Sequence, residues 1–538
     1  MTGRVRTFRN PILPGAHPDP SVVRAGDDFW LATSTFEYFP GIALHHSRDL
    51  VHWRPAGHAI DRPGQLAMDG IRSSGGLYAP TLRYADGVFH LACTLVDGPG
   101  SGGGNFLLTA TDPAGDWSDP VWLPDAPGFD PSLLFDDDGR AWLCGAWERD
   151  PAGAPGRTEV WVQELDRESL RLVGERTTIW TGAMAGARWA EGPHLYRIDG
   201  RYHLVAAEGG TEREHAVVAA RAEKVTGPYE PCPRNPLLTT RHLAADALDV
   251  TGPGHADLVE LADGSWWAVF LASRRHAGRA GLLGRETFLT PVAWEDGWPV
   301  FGGIPPVTDR LEAPALPEHA WPAGPRVVTF DGPEFGSGPG SGPEFGSGSG
   351  SPSLAAWPGA EWLTPRTPRS TWWRTGDGGL RLTARPESVR DAANPSLLAR
   401  RVEHHAFTAY LRLVFAPSAP DERAGLVVYR GNEWHVRLEV AASAGGERDA
   451  VLVTCEAGVE REVARRALPP GPVRLGVEAR GYDLRFHAGP ELVGAVSGEP
   501  LSDEVAGGFF GTLAGVFATG RGSTATIEWF EYAPLPEG

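Results

Sequence analysis

Residues 130–139 read DPSLLFDDDG and residues 191–200 read EGPHLYRIDG. Each sets a charged residue at the head of a short apolar, β-prone run that stops at an Asp-Gly turn. The pattern extends beyond these two stretches. Residues 19–26 read DPSVVRAG, residues 79–87 APTLRYADG and residues 255–264 HADLVELADG. An aromatic follows closely after each turn glycine: Phe29, Phe89, Trp142, Tyr202 and Trp266. Asp-Gly between β-prone runs marks a hairpin, because both central residues tolerate positive φ. Short strands recurring at near-regular intervals, with almost no amphipathic helix between them, predict radial repetition of small sheets. Five units make a five-bladed β-propeller over residues 1–310. A long β-sandwich with chance Asp-Gly turns is the alternative.

If the repeated strands are the innermost of each blade, their first positions ring one end of the central axis. The occupants are Asp19, Ala79, Asp130, Glu191 and His255, with Asp130 and Glu191 each nine residues before the turn glycine. A charge there does not enter a core; it faces a solvated funnel. Three carboxylates and an imidazole converging on one pocket make a catalytic constellation. Such a set serves acid/base chemistry, cation binding or structural hydrogen bonding. Cation sites usually draw several ligands from one loop, and no such loop is present, so no metal ligand is assigned. A single Ca²⁺ on the axis near His255 stays open. Acid/base work needs one carboxylate with a raised pKa facing another that stays ionised, and a third nearby carboxylate raises the first by like-charge repulsion.

Composition narrows the partners. The net charge of −19 disfavours nucleic acid, whose phosphates would be repelled, and leaves neutral substrates unaffected. No segment approaches the run of about 18 apolar residues that spans a membrane. The start, MTGRVRTFRNPIL, lacks the apolar core of a secretory signal, so a cytoplasmic protein is expected. Cys93, Cys144, Cys232 and Cys455 lie far apart with no CxxC, which suggests neither a disulfide framework nor a zinc site. The 20 tryptophans fit either core filling or platforms for sugar rings. Homo-oligomerisation stays open.

Several longer stretches are recognisable. HPDPSVVRAGDDFWLATSTFEYFPGIALHHSRDLVHW (17–53), GFDPSLLFDDDG (128–139), EGPHLYRIDGRYHLVAAEGGT (191–211), GHADLVELADGSWW (254–267) and LGRETFLTPVAWEDGWPV (283–300) resemble the successive motifs of glycoside hydrolase family 43. The likeness is to its β-xylosidase/α-L-arabinofuranosidase branch and runs in order from about Asn10 to Phe301. It implies an inverting exo-hydrolase that needs no cofactor, with an oligosaccharide as its substrate. By motif, Asp19 would be the general base, Glu191 the general acid, and Asp130 the residue that tunes and orients Glu191. Arg285 of LGRET resembles an arginine that hydrogen-bonds the hydroxyls of a bound pentose, and it is read here as standing outside a salt bridge. Phe36 and Trp147 resemble walls of the sugar pocket, and Thr211 and His255 match positions lining it. Tyr78 stands where family members often carry tryptophan, which leaves a flat platform but changes its size.

Residues 311–325 are rich in proline and alanine and read as an extended connector. Residues 326–538 then alternate strand-like runs with Gly, Pro and Asn turns, a β-sandwich pattern. Within them, residues 332–351 carry GPEFGSG twice and read as a flexible loop. LARRVEHHAFTAYLRL (398–413) and GGFFGTLAGVFATGRG (507–522) resemble the concanavalin-like C-terminal domain of the same branch. By that resemblance a loop of this domain covers the funnel, with Phe509 or Phe510 closing the sugar pocket. The expected activity is release of terminal β-D-xylose, with α-L-arabinofuranose as second or main sugar. A non-catalytic carbohydrate-binding protein and a scaffold for protein partners are the alternatives from other classes.

Overall fold

A computed structural model describes residues 6–98, 103–148, 150, 154–184, 186–244, 248–302, 310–330, 357–376, 378–443 and 447–536. The Gly/Ser-rich segment 332–351 lies outside them. Apart from one short 3₁₀ turn at Glu499–Leu501, the named elements are strands.

The first 301 residues build five antiparallel sheets of four or five strands. Their first strands are Ser21–Ala25, Thr81–Ala85, Phe129–Phe135, Glu191–Ile198 and Val250–Glu260. These strands contact one another in a closed ring, the fifth returning to the first. The packing explains why the sheets fan out around them. A small sheet has two apolar faces to bury and no second layer of its own, so each face must be covered by the neighbouring sheet. Each adjacent pair therefore shares one cluster. Leu44, Leu82 and Phe106 sit between the first and second sheets, and Leu107, Leu143 and Trp161 between the second and third. Val160, Leu204 and Val218 follow between the third and fourth, and Val205, Phe270 and Phe288 between the fourth and fifth. Leu31, Val269 and Leu289 close the circle between the fifth and the first.

The hairpin turns are less uniform than their sequences. Asp86-Gly87 and Asp199-Gly200 carry positive φ at both residues, as a primed turn requires, whereas at Gly26, Gly139 and Gly264 only the glycine does.

Beyond residue 326 the chain makes two further sheets, one of eight strands and one of six. Alternate residues of their facing strands, among them Phe407, Leu411, Leu475 and Val477 against Leu426, Val428, Leu438 and Val440, fill a single core. Val327–Val328 already pairs with Thr524–Pro534 in the larger of these sheets. The segment before it is pinned rather than loose. Leu311–Glu312 pairs with Thr7–Phe8, and Trp321 lies under Arg54 at 4.1 Å. Thr364–Pro365 pairs with Tyr38–Phe39, a segment between two strands of the first sheet, in a separate two-stranded ladder. The four cysteines are buried and free of disulfides.

Candidate active site

The chemistry-bearing residues are aimed by a repeated irregularity at the heads of the inner strands. In the third, fourth and fifth sheets the register slips by one residue, between Phe129 and Ser132, between Glu191 and His194, and between Gly254 and Asp257. Asp19, Asp130 and His255 sit at φ 54°, 53° and 50°, the left-handed region that bulky side chains avoid. Such a bulge turns a side chain out of the pleat toward the axis.

The register corrects the count from the turn glycines. Gly192, at φ 54°, is the structural counterpart of Asp130, and Glu191 stands one residue earlier, in the position of Phe129 and Tyr78. From the end of the bulge to the turn glycine the third sheet holds one residue more than the fourth, Ser132 to Gly139 against His194 to Gly200, and that residue made the two spacings coincide. The site also depends on glycine at 192: a Cβ there would lie 2.8 Å from the His255 ring.

One small cavity is lined by Asp19, Asp130, Glu191, Phe36, Tyr78, Thr211, His255, Arg285 and Phe509, together with Ala79 and Phe129. Phe129 was not singled out from the sequence, although its place just before the bulge is the place of Glu191. Two expected wall residues fall elsewhere. Phe510 is 2% exposed and packs against Tyr38, ring centroids 4.7 Å apart, because the chain direction that opens Phe509 to the cavity turns its neighbour into the core. Trp147 is half-buried against the cluster around Leu133 and Trp161 and does not line the cavity.

Asp19 accepts from Ser34 Oγ at 2.6 Å and from Arg285 Nη1 at 2.9 Å. Arg285, expected outside a salt bridge, is thus ion-paired with Asp19, since a buried carboxylate and a buried guanidinium gain most by meeting. Through Nε and Nη2 it also donates to the carbonyl of Phe509, at 3.2 and 3.0 Å. The Phe509 N–H donates to Ser74 Oγ at 2.9 Å. Both backbone groups of Phe509 are therefore held by the first 301 residues. Its ring lies 5.7 Å from Phe36 and 5.9 Å from Tyr78, making three aromatic walls around one corner. Phe36 is itself left-handed at φ 51° and is fixed there by paired backbone hydrogen bonds to Leu77.

The other two acids are neighbours. Asp130 Oδ2 accepts the N–H of Gly192 at 2.9 Å, which sets it against the Glu191–Gly192 peptide. Burial holds the Glu191 carboxyl well above the usual carboxylate range, and the charges of Asp130 and Asp19 push it the same way. Burial also raises Asp130, to about 6, with Asp19 adding to the rise while His255 opposes it. Burial leads in both; like-charge repulsion comes second at Glu191, whereas at Asp130 the opposing His255 outweighs the repulsion from Asp19.

Below this layer the axis is closed by an ion pair. Asp257 accepts from Arg83 Nη1 and Nη2 at 2.8 and 3.1 Å, from Ser21 Oγ at 2.6 Å and from the Tyr196 hydroxyl at 2.5 Å. Arg83 Nη2 also donates to His194 Nδ1 at 3.0 Å, so the ring proton of His194 sits on Nε2. A saturated carboxylate, a guanidinium and an imidazole whose free nitrogen is protonated do not fit a Ca²⁺ cage, which needs six to eight oxygens.

The two phenylalanines of GGFFG make separable predictions. Phe509→Ala should cut kcat/KM about tenfold by removing a wall, roughly 1.4 kcal/mol, and leave the melting temperature near wild type. Phe510→Ala should instead lose about 3–5 kcal/mol of stability. Steady-state kinetics beside thermal melts would decide, and an unfolded Phe509→Ala with an undisturbed Phe510→Ala would reverse the assignment.

The sequence profile described as Glycosyl hydrolases family 43 matches residues 8–299. That of the Beta xylosidase C-terminal Concanavalin A-like domain matches residues 357–533. A Xylosidase/arabinosidase of Butyrivibrio fibrisolvens is 39% identical over 526 residues, 96% of each chain. The non-reducing end alpha-L-arabinofuranosidase BoGH43B of Bacteroides ovatus is 36% identical, covering 98% of this chain and 95% of its own. Among solved structures, a xylan beta-1,4-xylosidase from Bacillus halodurans superposes with a TM-score of 0.85 at 35% identity, covering 98% of this chain and 99% of its own.

Proposed function

This chain belongs to glycosyl hydrolases family 43 and is a glycosidase, and we propose that it removes single terminal pentoses from xylo-oligosaccharides and arabinoxylan fragments with inversion. The observation that carries the reading is the cavity in which Asp19, Asp130 and Glu191 meet under a wall supplied by Phe509. A pocket closed on one side by a residue from the second layer accepts a chain end more readily than the middle of a chain.

Glu191, kept protonated by burial and by its acidic neighbours, is the general acid that protonates the departing oxygen. Asp19, held by Ser34 and Arg285, is the general base that takes a proton from water as the water attacks the anomeric carbon from the opposite face. Asp130 holds the Glu191–Gly192 peptide and adds negative charge beside the acid. The N–H groups of Arg285 not taken by Asp19 and Phe509 are left for sugar hydroxyls. The chemistry uses no resident metal.

β-D-Xylose is proposed as the principal sugar and α-L-arabinofuranose as the second. The arabinofuranosidase name of the Bacteroides ovatus relative supports the reverse order as the second reading. Nitrophenyl β-xyloside and nitrophenyl α-L-arabinofuranoside assayed side by side rank the two. Turnover of neither would remove the proposal.

The pH profile tests the arrangement of acids. Glu191 must keep its proton, so the alkaline limb of kcat/KM follows its ionisation. The Asp130 charge is one cause of the raised value, so Asp130→Asn should lower the Glu191 pKa and move the alkaline limb to lower pH. A limb that stays in place or moves upward would mean that Asp130 does not act on the acid.

A further inference from the structure

Away from the acids, four neighbouring residues between the first sheet and the sandwich each leave a buried nitrogen with no hydrogen-bond partner among the described residues: His17 Nδ1, His45 Nδ1, His58 Nε2 and Arg401 Nη2. His45 and His58 lie on adjacent strands of the first sheet, where Ala43 faces His58. His17 precedes the inner strand, its ring edge-on to His45 with centroids 4.8 Å apart. Arg401 enters from the other side, at the end of the strand Ser396–Arg401. All four residues are more than nine-tenths buried.

Arg401 gives the cluster its character. Its Nε donates to the carbonyl of Ala16 at 2.6 Å, and its guanidinium lies 5.4 Å over the Phe510 ring. No carboxylate among the described residues forms an ion pair with it. The nearest acid in sequence, Glu403, is committed to Arg400 at 3.3 Å. Burial draws the Arg401 pKa down only to about 10, so it remains a cation at neutral pH. Burial and the Arg401 charge keep His17 and His58 well below their ordinary value and His45 at about 3. The Glu403 charge acts favourably on Arg401 without an ion pair, and a neutral imidazole still offers one N–H, so the cluster presents one positive charge with no carboxylate in contact and up to three further donors. A buried charge without a counter-charge is costly, and buried polar groups are as a rule partnered.

The geometry points to a binding site for a small monovalent anion of halide size, enclosed by Arg401, His17, His45 and His58. Neutral water would pair the orphaned nitrogens but leave the guanidinium without an ion in contact; an anion meets both needs. The site would tie the sandwich to the segment Ala16–Asp19 that carries the proposed base, and to Phe510 beside the cavity wall.

Two measurements on the full chain test it. Crystals grown in sodium bromide should show an anomalous bromide peak bounded by Arg401 Nη2 and the three imidazoles. The wild type should also melt about 2–4 °C higher in millimolar chloride than in gluconate of equal ionic strength, because a ligand bound only to the folded state stabilises it. In Arg401→Gln that increment should vanish, whatever the variant's baseline, and His58→Leu serves the same comparison if Arg401→Gln fails to fold. Ordered water with no anomalous peak would overturn the proposal. So would a chloride increment that survives the substitution.

Discussion

Asp19→Asn is expected to lose about 10⁴-fold in kcat/KM on every substrate, whatever the leaving group. The amide fills the space of the carboxylate, its oxygen accepting from Arg285 and its NH2 donating to Ser34 Oγ, so the ion pair becomes a neutral hydrogen bond while the packing is kept. What disappears is the group that takes the proton from attacking water. Attack by water is needed whether the bond being broken is to a sugar or to a nitrophenol, so an activated leaving group offers no escape. Thermal melts and kinetics on xylobiose and nitrophenyl xyloside would check this. Turnover of the nitrophenyl substrate within about tenfold of wild type would remove Asp19 from the role of base.

Glu191→Gln is expected to separate the same two substrates. In xylobiose the second xylose leaves as a poor alkoxide and needs the proton, so kcat/KM should fall about 10³-fold. A nitrophenolate leaves readily and needs little protonation, so its loss should stay at about tenfold. The alkaline limb of the pH profile should flatten in the variant, because the group whose ionisation sets it is gone. Equal losses on both substrates would show that Glu191 contributes position or charge rather than a proton.

Much of this was legible in the sequence because the repeat couples two local signals. An apolar run ending at Asp-Gly fixes a hairpin, and a polar residue at the head of the run is tolerated only where it escapes the core. Asp19, Asp130 and His255 were therefore placed at the axis from sequence alone. Glu191 reached the same cavity by a different route, one residue before the left-handed position that Gly192 fills, and a count of residues cannot see a bulge. The same bulge hid Phe129, which reads as a core residue of GFDPS and lines the cavity.

Long-range pairing was the harder part. Arg83 and Asp257 are 174 positions apart, and nothing local to either announces that they close the axis. Arg285 was read as free for a ligand because its partner Asp19 is 266 positions away. Phe509 and Phe510 are adjacent and chemically alike, so only the direction of the chain, set by Ser74 and Arg285, separates a wall from a core residue. Arg401 and the three histidines likewise gain meaning only where the sandwich docks on the first sheet.

The most direct measurement follows the first sugar released. Hydrolysis of xylobiose in deuterated water, watched by proton NMR before mutarotation, should show α-xylose from the non-reducing end as the initial product. A base that activates water opposite the acid allows no other outcome. Initial release of β-xylose would mean retention through a covalent intermediate, and would contradict the roles given to Asp19 and Glu191.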